Sequence, residues 1–204
     1  MTAMRQHMTF FVLAALVCML SMTGCGGSKP AASPGNTPSA PGNSQSAPGN
    51  SQRPTVHIAQ PARATPSISA KMICAREAQA EIGAIIGVHT TAPVVPAWKD
   101  HLYSCRYVFT KAVMALSVKE LSSKTETDRY FTSLSERLGV TTRLQDLGQG
   151  AFTTRDLSVV VRKDYKVLLV DTSGLPAQFG VPHRNRAEIA SLVAATIMDC
   201  WTGN

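Results

Sequence analysis

The stretch from residue 26 to residue 66 most constrains this chain, because it holds almost no large apolar side chain. It is built mainly from Gly, Ser, Pro, Asn, Gln and Ala, and its only charges are Lys29, Arg53 and Arg63. Such a composition cannot bury enough surface to offset the entropy lost on ordering, so it predicts disorder. A compact fold must therefore lie in the 137 residues that follow, 68–204, and that length is enough for one hydrophobic core.

A seven-residue repeat lies inside this polar stretch. Ser-Ala-Pro-Gly-Asn-Ser-Gln occurs at residues 39–45 and again at 46–52. A period of seven would suit a coiled coil, but this repeat has no apolar positions and contains Pro-Gly. It is typical of a linker. Residues 25–67 are therefore predicted to be a tether, with a root-mean-square reach of ~35 Å as a flexible coil and of ~120 Å if the prolines hold it extended.

An uncharged apolar segment, residues 8–20, follows Arg5 at the start of the chain. A helix of that length rises ~20 Å, which is short of the ~30 Å hydrocarbon core of a bilayer. The pattern predicts an export signal. The string Met22-Thr23-Gly24-Cys25 resembles the lipobox of bacterial lipoprotein signals. The resemblance implies that residues 1–24 are removed and that Cys25 becomes a lipidated N-terminus.

Lipidation at Cys25 would give the protein a stable membrane anchor. Two or three acyl chains, palmitate among them, each contribute ~0.8 kcal/mol per buried CH2 group. The expected location is the outer face of the cell membrane, with the membrane as a partner through Cys25. The other interpretation is an ordinary secretory signal with Cys25 as a plain cysteine, but no Ala-x-Ala site lies nearby.

The net charge of the chain is +7, and Arg5 in the signal supplies one of these charges. The three basic residues of the polar stretch supply three more, which leaves +3 for residues 67–204. All thirteen acidic residues of the chain lie in that last part, interspersed with the basic ones. This distribution is typical of a solvated surface, so no nucleic-acid partner is predicted.

Periodic apolar residues predict the elements of the domain. Helices are expected at residues 74–87, 128–138 and 185–201. The second could be capped by Ser123 with Glu126 or by Thr125 with Asp128, and the third by Asn185 with Glu188. Strands are expected at residues 103–109, 113–121, 151–154, 157–162 and 166–171. This order predicts an α+β domain: an antiparallel sheet of four to five strands, packed by about three helices on one face.

Three cysteines follow the tether: Cys74, Cys105 and Cys200. An exported protein can keep disulfides, and three cysteines allow three single pairings. We expect Cys74 with Cys105, which would tie the first helix to the first strand across a loop of about thirty residues, worth ~3 to 4 kcal/mol. Cys200 lies on the apolar face of the last helix and is expected to be a buried thiol. No Cys-x-x-Cys spacing occurs, so no metal is predicted.

Several features together resemble one known family. They are the lipobox at Cys25, the Ser/Gly/Pro tether, Ile-Ile-Gly ending at Gly87, Tyr-Ser-Cys-Arg-Tyr at residues 103–107, and Leu-Gly-Gln-Gly-Ala-Phe at residues 147–152. Over most of residues 68–202 the chain is similar to actinobacterial lipoproteins of unknown function. Gln149 stands where that family more commonly has Asp. The resemblance implies a surface lipoprotein with a disulfide-linked α+β domain, and it implies no catalytic residues.

The chain carries no catalytic motif that we can assign, and no catalytic residue, metal or cofactor is predicted. Asp100 and His101 are sequence neighbours, which does not make them face one another. The connection at residues 88–102 contains Trp98 and is long for an idle loop. It is either a recognition loop that presents Trp98 or, as we expect, a segment in which Val94, Val95 and Trp98 fold back on the core beside Cys105.

Three classes of function remain open from the sequence. The leading one is a non-enzymatic, membrane-anchored binding or sensing module of the cell envelope, with an envelope protein or a small apolar ligand as partner. The alternative is a carrier of a lipid or other apolar ligand, which needs a sizeable apolar cavity. The third is an envelope hydrolase, which needs polar residues with perturbed pKa values clustered in a cleft.

Overall fold

The structure is a computed structural model that describes residues 61–201. Its helices are α1 (Ile68–Met72), α2 (Arg76–Ile86), α3 (Lys124–Leu138) and α4 (Arg186–Cys200). Its strands are β1 (Ala97–Lys99), β2 (Leu102–Phe109), β3 (Ala112–Glu120), β4 (Val140–Leu144), β5 (Gly150–Thr154), β6 (Val159–Lys163), β7 (Lys166–Asp171), β8 (Gln178–Phe179) and β9 (Arg184–Asn185). The predicted signal, Cys25 and most of the predicted tether lie outside the described residues.

Strands β1 to β7 form one antiparallel sheet in the order β1-β2-β3-β7-β6-β5-β4, and β8 and β9 form a separate small hairpin. The sheet is made of two meanders, β1–β3 and β4–β7. They join where β3 pairs with β7, with Leu116 opposite Val170. The antiparallel sheet of an α+β domain is therefore confirmed, but the prediction of four to five strands was too low.

The main hydrophobic core lies between one face of the sheet and the helices α1, α2 and α4. Its largest fully buried side chains include Tyr107, Met114 and Leu116 from the sheet, with Ile82 and Ile197 from the helices. Burying an apolar side chain of this size contributes roughly 1.5 to 3 kcal/mol. This face is therefore the main source of stability in the domain.

A second core lies on the opposite face of the sheet, under α3. Leu134 of α3 packs there on Phe152 and Val160, and the rings of Phe131 and Phe152 are 5.1 Å apart. Within residues 61–201, four helices on two faces of the sheet correct the prediction of about three helices on one face. The reason is visible in β6, where Val159 and Val161 enter the main core while Val160 enters the second.

Caps fix where the helices begin. The hydroxyl of Ser123 accepts a hydrogen bond from the Glu126 backbone N–H, so α3 starts at Lys124, earlier than predicted. The Asn185 side chain caps α4 in the same way, through the Glu188 N–H. The helix predicted over residues 74–87 begins instead at Arg76, and a separate short helix, α1, precedes it.

Residues just before α1 lie against the domain. The Ala62 N–H donates to the Leu121 carbonyl at 3.0 Å. The Ser67 N–H donates to Oε1 of Glu120 at 3.1 Å, and this carboxylate is 5 % exposed. Contacts with the domain therefore begin a few residues before Ile68, where the tether was predicted to end.

Candidate functional site

A disulfide joins Cys74 to Cys105, with the two Cα atoms 6.0 Å apart. This confirms the predicted pairing. Cys74 lies in the junction between α1 and α2, and Cys105 lies on the core side of β2. Cys200 is outside the disulfide and half-buried at the end of α4, which corrects the expectation of a fully buried thiol.

Two hydrogen bonds hold the same junction. The hydroxyl of Tyr107 donates to the Ile73 carbonyl at 2.7 Å, and Nε2 of Gln79 donates to the Cys74 carbonyl at 2.9 Å. Burial raises the pKa of Tyr107 well above its ordinary value, so its hydroxyl stays protonated and remains a donor. Both carbonyls lie where α1 ends, and such groups need partners outside the helix.

A partly open cavity of about 220 Å³ lies between α2 and β2, beside this junction. Its aromatic lining residues are Tyr107 and Phe109. Its polar lining side chains include Gln79, His89 and Thr90. The cavity offers an apolar surface with a few hydrogen-bonding groups, but its volume lies below the 300 to 1,000 Å³ usual for sites that enclose a drug-sized ligand.

Trp98 lies in β1 and packs against the main core, as does Val94, while Val95 is 71 % exposed. The indole Nε1–H of Trp98 donates to the Ala64 carbonyl at 2.9 Å. The ring contacts His101 edge-on, with centroids 5.8 Å apart. Trp98 therefore holds the incoming chain against the domain, and its use in recognition stays a prediction.

Asp100 and His101 form the two-residue turn between β1 and β2. Both have positive φ, 49° and 58°, as the tight hairpin turns that match strand twist require. Nδ1 of His101 is hydrogen-bonded to the Arg63 carbonyl at 3.0 Å. The pair thus has a structural role at the point where the chain enters the domain.

Gln149 closes a second turn at the same end of the sheet. Its Nε2 donates to Oδ1 of Asp164, and its Oε1 accepts from the Asp164 backbone N–H. Gly148 has φ 61°, and a Cβ there would lie 2.6 Å from the Arg162 carbonyl oxygen. The residues at 148–150 therefore form a turn that leads into β5. No sequence pattern indicated the two hydrogen bonds between Gln149 and Asp164.

The densest charged network lies on the α3 side of the sheet. Asp128 accepts hydrogen bonds from Lys124, at 2.5 Å, and from Arg162. The hydrogen bond from Lys124 is the largest cause that lowers the pKa of Asp128 below its ordinary value, and the charge of Arg162 adds to it. Arg162 also lies over the Phe131 ring, 5.4 Å from its centroid. The network ties α3 to β6.

No group of three His, Cys, Asp or Glu side chains within residues 61–201 could hold a metal ion. None of the four helices described there is long and apolar enough to cross a membrane.

No protein-family model, curated protein or solved structure matches the chain. The similarity to actinobacterial lipoproteins therefore stays a prediction. Two things that it implies, the α+β domain and the disulfide between Cys74 and Cys105, are confirmed.

Proposed function

We propose that this chain is an exported lipoprotein, anchored to the outer face of the cell membrane through acyl chains on Cys25. The observation that carries this proposal is the disulfide between Cys74 and Cys105. Disulfides persist in oxidising compartments and are rare in the cytosol. The export signal predicted over residues 1–24 supplies the route, and the lipobox ending at Cys25 supplies the anchor.

The domain on this anchor acts as a non-enzymatic binding or sensing module. A lipid carrier receives less support, because the cavity of about 220 Å³ beside α2 is small for an acyl chain. A hydrolase receives less support as well. Burial raises the pKa values of Tyr103 and Tyr107. The hydrogen bond from Lys124 and the charge of Arg162 lower the pKa of Asp128. These causes are structural, and Asp128 lies on the opposite face of the sheet from the tyrosines.

Replacement of Cys25 tests the anchor. In cells grown with an alkynyl fatty acid, the wild-type chain should become labelled and should fractionate with membranes. Cys25→Ala should lose the label and should be either released or left as unprocessed precursor, because no other cysteine stands at a lipobox.

Cys18→Ala is the matched control, since Cys18 lies inside the predicted signal only seven residues away. It should be labelled like the wild type. Label that survives in Cys25→Ala, or that is lost equally in both variants, would contradict a lipid on Cys25.

A further inference from the structure

The outer face of β1–β3 is the side of these strands that points away from α1, α2 and α4. Because side chains alternate along a strand, this face carries the neighbours of the core residues. Its polar members are Lys99, Ser104, Arg106, Ser117 and Lys119, and no acid lies among them. Helix α3 stands on the same side of the sheet but packs on β5 and β7, which leaves β1–β3 uncovered by any described helix.

The register of the strands places these residues in successive rows. Lys99 and Lys119 stand on either side of Leu102 in one row. In the next row Ser104 is directly opposite Ser117. Rows that share a face are ~7 Å apart and neighbouring strands ~4.8 Å apart, so the lysine pair spans ~10 Å.

Arg106 completes the arrangement one row further on, opposite Ala115. The two serines therefore lie between two lysines on one side and an arginine on the other. Neither serine hydroxyl makes a hydrogen bond to another group in residues 61–201. The face thus offers hydroxyl donors flanked by three cations, a set that suits phosphate oxygens.

Little within the described domain neutralises these cations. Lys99 and Arg106 are exposed and take part in none of the ion pairs of residues 61–201. Nζ of Lys119 donates to the backbone carbonyl of Asp100, which carries no formal charge. Asp171, on the neighbouring strand β7, accepts hydrogen bonds from the backbone N–H and the hydroxyl of Ser173. The three cations of this face therefore exceed the two carboxylates at its border, which are Asp171 opposite Ala115 and Asp100 in the turn after Lys99.

The chain enters the domain at the Lys99 end of this face. Ala64 is held by Trp98, the residue before Lys99, and Arg63 is held by His101 in the turn that follows Lys99. Between Cys25 and Pro61 the composition predicts a coil of 35 residues, whose reach is ~33 Å if it is flexible. A domain tethered so closely meets a bilayer at an effective concentration in the millimolar range, so a weak contact is enough.

We propose that the outer face of β1–β3 docks on the anionic lipid head groups of the membrane to which the chain is tethered. The proposal rests on the lipid anchor proposed above. Lys99, Arg106 and Lys119 attract the anionic surface, and each basic residue near such a surface contributes about a factor of five in binding. Ser104 and Ser117 donate to the lipid phosphates. Docking would turn α1, α2 and α4, with the cavity beside them, away from the bilayer.

The test replaces the acyl anchor by a tag, so that it does not depend on lipidation. The chain 26–204, which keeps every described residue, is attached through an N-terminal His tag to nickel-chelating vesicles. Energy transfer from its tryptophans to a dansyl lipid reports how close the domain lies to the bilayer. Transfer should be greater on vesicles with 30 % phosphatidylglycerol than on pure phosphatidylcholine vesicles, and 0.5 M salt should remove the difference.

A charge-matched pair of variants tests which face docks. Lys99→Ser with Arg106→Ser should lower the ratio of docked to undocked domain on anionic vesicles by about 25-fold. Lys71→Ser with Arg76→Ser removes two exposed cations from α1 and α2, on the other face, and should leave the ratio unchanged.

Equal transfer on anionic and neutral vesicles, or an equal loss in both variants, would overturn the proposal. So would binding of soluble polyglutamate at the same face without any preference for anionic vesicles, because the occupant would then be an acidic chain. None of these results bears on Cys25, whose labelling is measured separately.

Discussion

At the scale of single residues, the short junction between α1 and α2 collects three independent restraints. Cys74 is bonded to Cys105, Tyr107 donates to the Ile73 carbonyl, and Gln79 donates to the Cys74 carbonyl. Each restraint ties a backbone turn to β2 or to α2 itself. A helix of five residues such as α1 is marginally stable by itself. These three restraints therefore hold the junction in place.

Cys105→Ser tests the covalent restraint. The disulfide closes a loop with a sequence separation of 31, so its loss should lower the free energy of unfolding by ~2 to 5 kcal/mol in urea titrations. Alkylation after unfolding should find one more reactive thiol in the variant than in the wild type, because Cys74 has lost its partner. Reduction of the wild type should reproduce the loss of stability.

Cys200→Ser is the control for that variant, because it makes the same substitution at a half-buried position outside the disulfide. Its cost should be limited to local packing at the end of α4. If the two variants were equally destabilised, or if a non-reducing peptide map linked Cys200 to either partner, the assignment of the disulfide would be wrong.

At the scale of elements, α3 depends on charges as well as on its apolar stripe. Asp128 joins Lys124 on the same helix to Arg162 on β6. Because its pKa in the folded state is lowered, its stabilising effect is complete above the unfolded value of ~3.9 and is lost as the pH falls through the folded value.

Asp128→Asn should therefore lower the melting temperature at pH 7 by a few degrees at most, since 38 % of the side chain is exposed and solvent screens its ion pairs. The difference from the wild type should shrink as the pH falls below the unfolded value of ~3.9 and on through the lower folded value, where the wild-type carboxylate becomes protonated. Circular dichroism melts at pH 7, 5 and 3 measure this. Asp146→Asn is the control, because Asp146 is exposed and lies outside the network. If the difference in melting temperature between Asp128→Asn and the wild type grew toward pH 3, the predicted pH dependence would be wrong.

Long periodic elements could be predicted from the sequence, and short edge elements could not. Helix α4 has a run of apolar residues and an Asn185 cap, and both signals are local. Strand β4 at one edge has no buried face, so its residues show no alternation, and β1 at the other edge is only three residues long. Their pairing depends on neighbours in space, which periodicity does not reveal.

The placement of the helices shows the same limit. Residues 167–170 are all apolar, which is typical of a strand covered on both faces, and the structure buries Val167 and Leu168 in different cores. The apolar run does not indicate which helix covers which face of the sheet. In the candidate site, the cysteine pair could be predicted from compartment and spacing. The hydrogen bond from Trp98 to Ala64 could not, because it joins the domain to residues assigned to the tether.

At the scale of the whole molecule, the predicted tether and the folded domain should be separable. Deleting residues 33–52 should leave the melting temperature of the chain 26–204 unchanged, because a disordered linker makes no core contacts. Deleting residues 61–66 should lower it, since this removes the hydrogen bonds of Ala62 to Leu121 and of Trp98 to Ala64. Calorimetry measures the melting temperature of each deletion variant and of the chain 26–204. A shift of several degrees after deletion of residues 33–52 would show that the tether contributes to the stability of the domain.

The pairing of β3 with β7 also sets an order of events during folding. The first meander is local, but its core side, with Tyr107 and Met114, stays open to water until β7 pairs with β3 and α4 packs over both. Contacts between segments so distant in sequence form late, because the loop between them must close first. A chain that emerges N-terminus first must wait for β7 to complete the sheet and for α4 to cover the core. Both cysteines of the disulfide precede β7 in the sequence, so their bond can form before β7 pairs with β3.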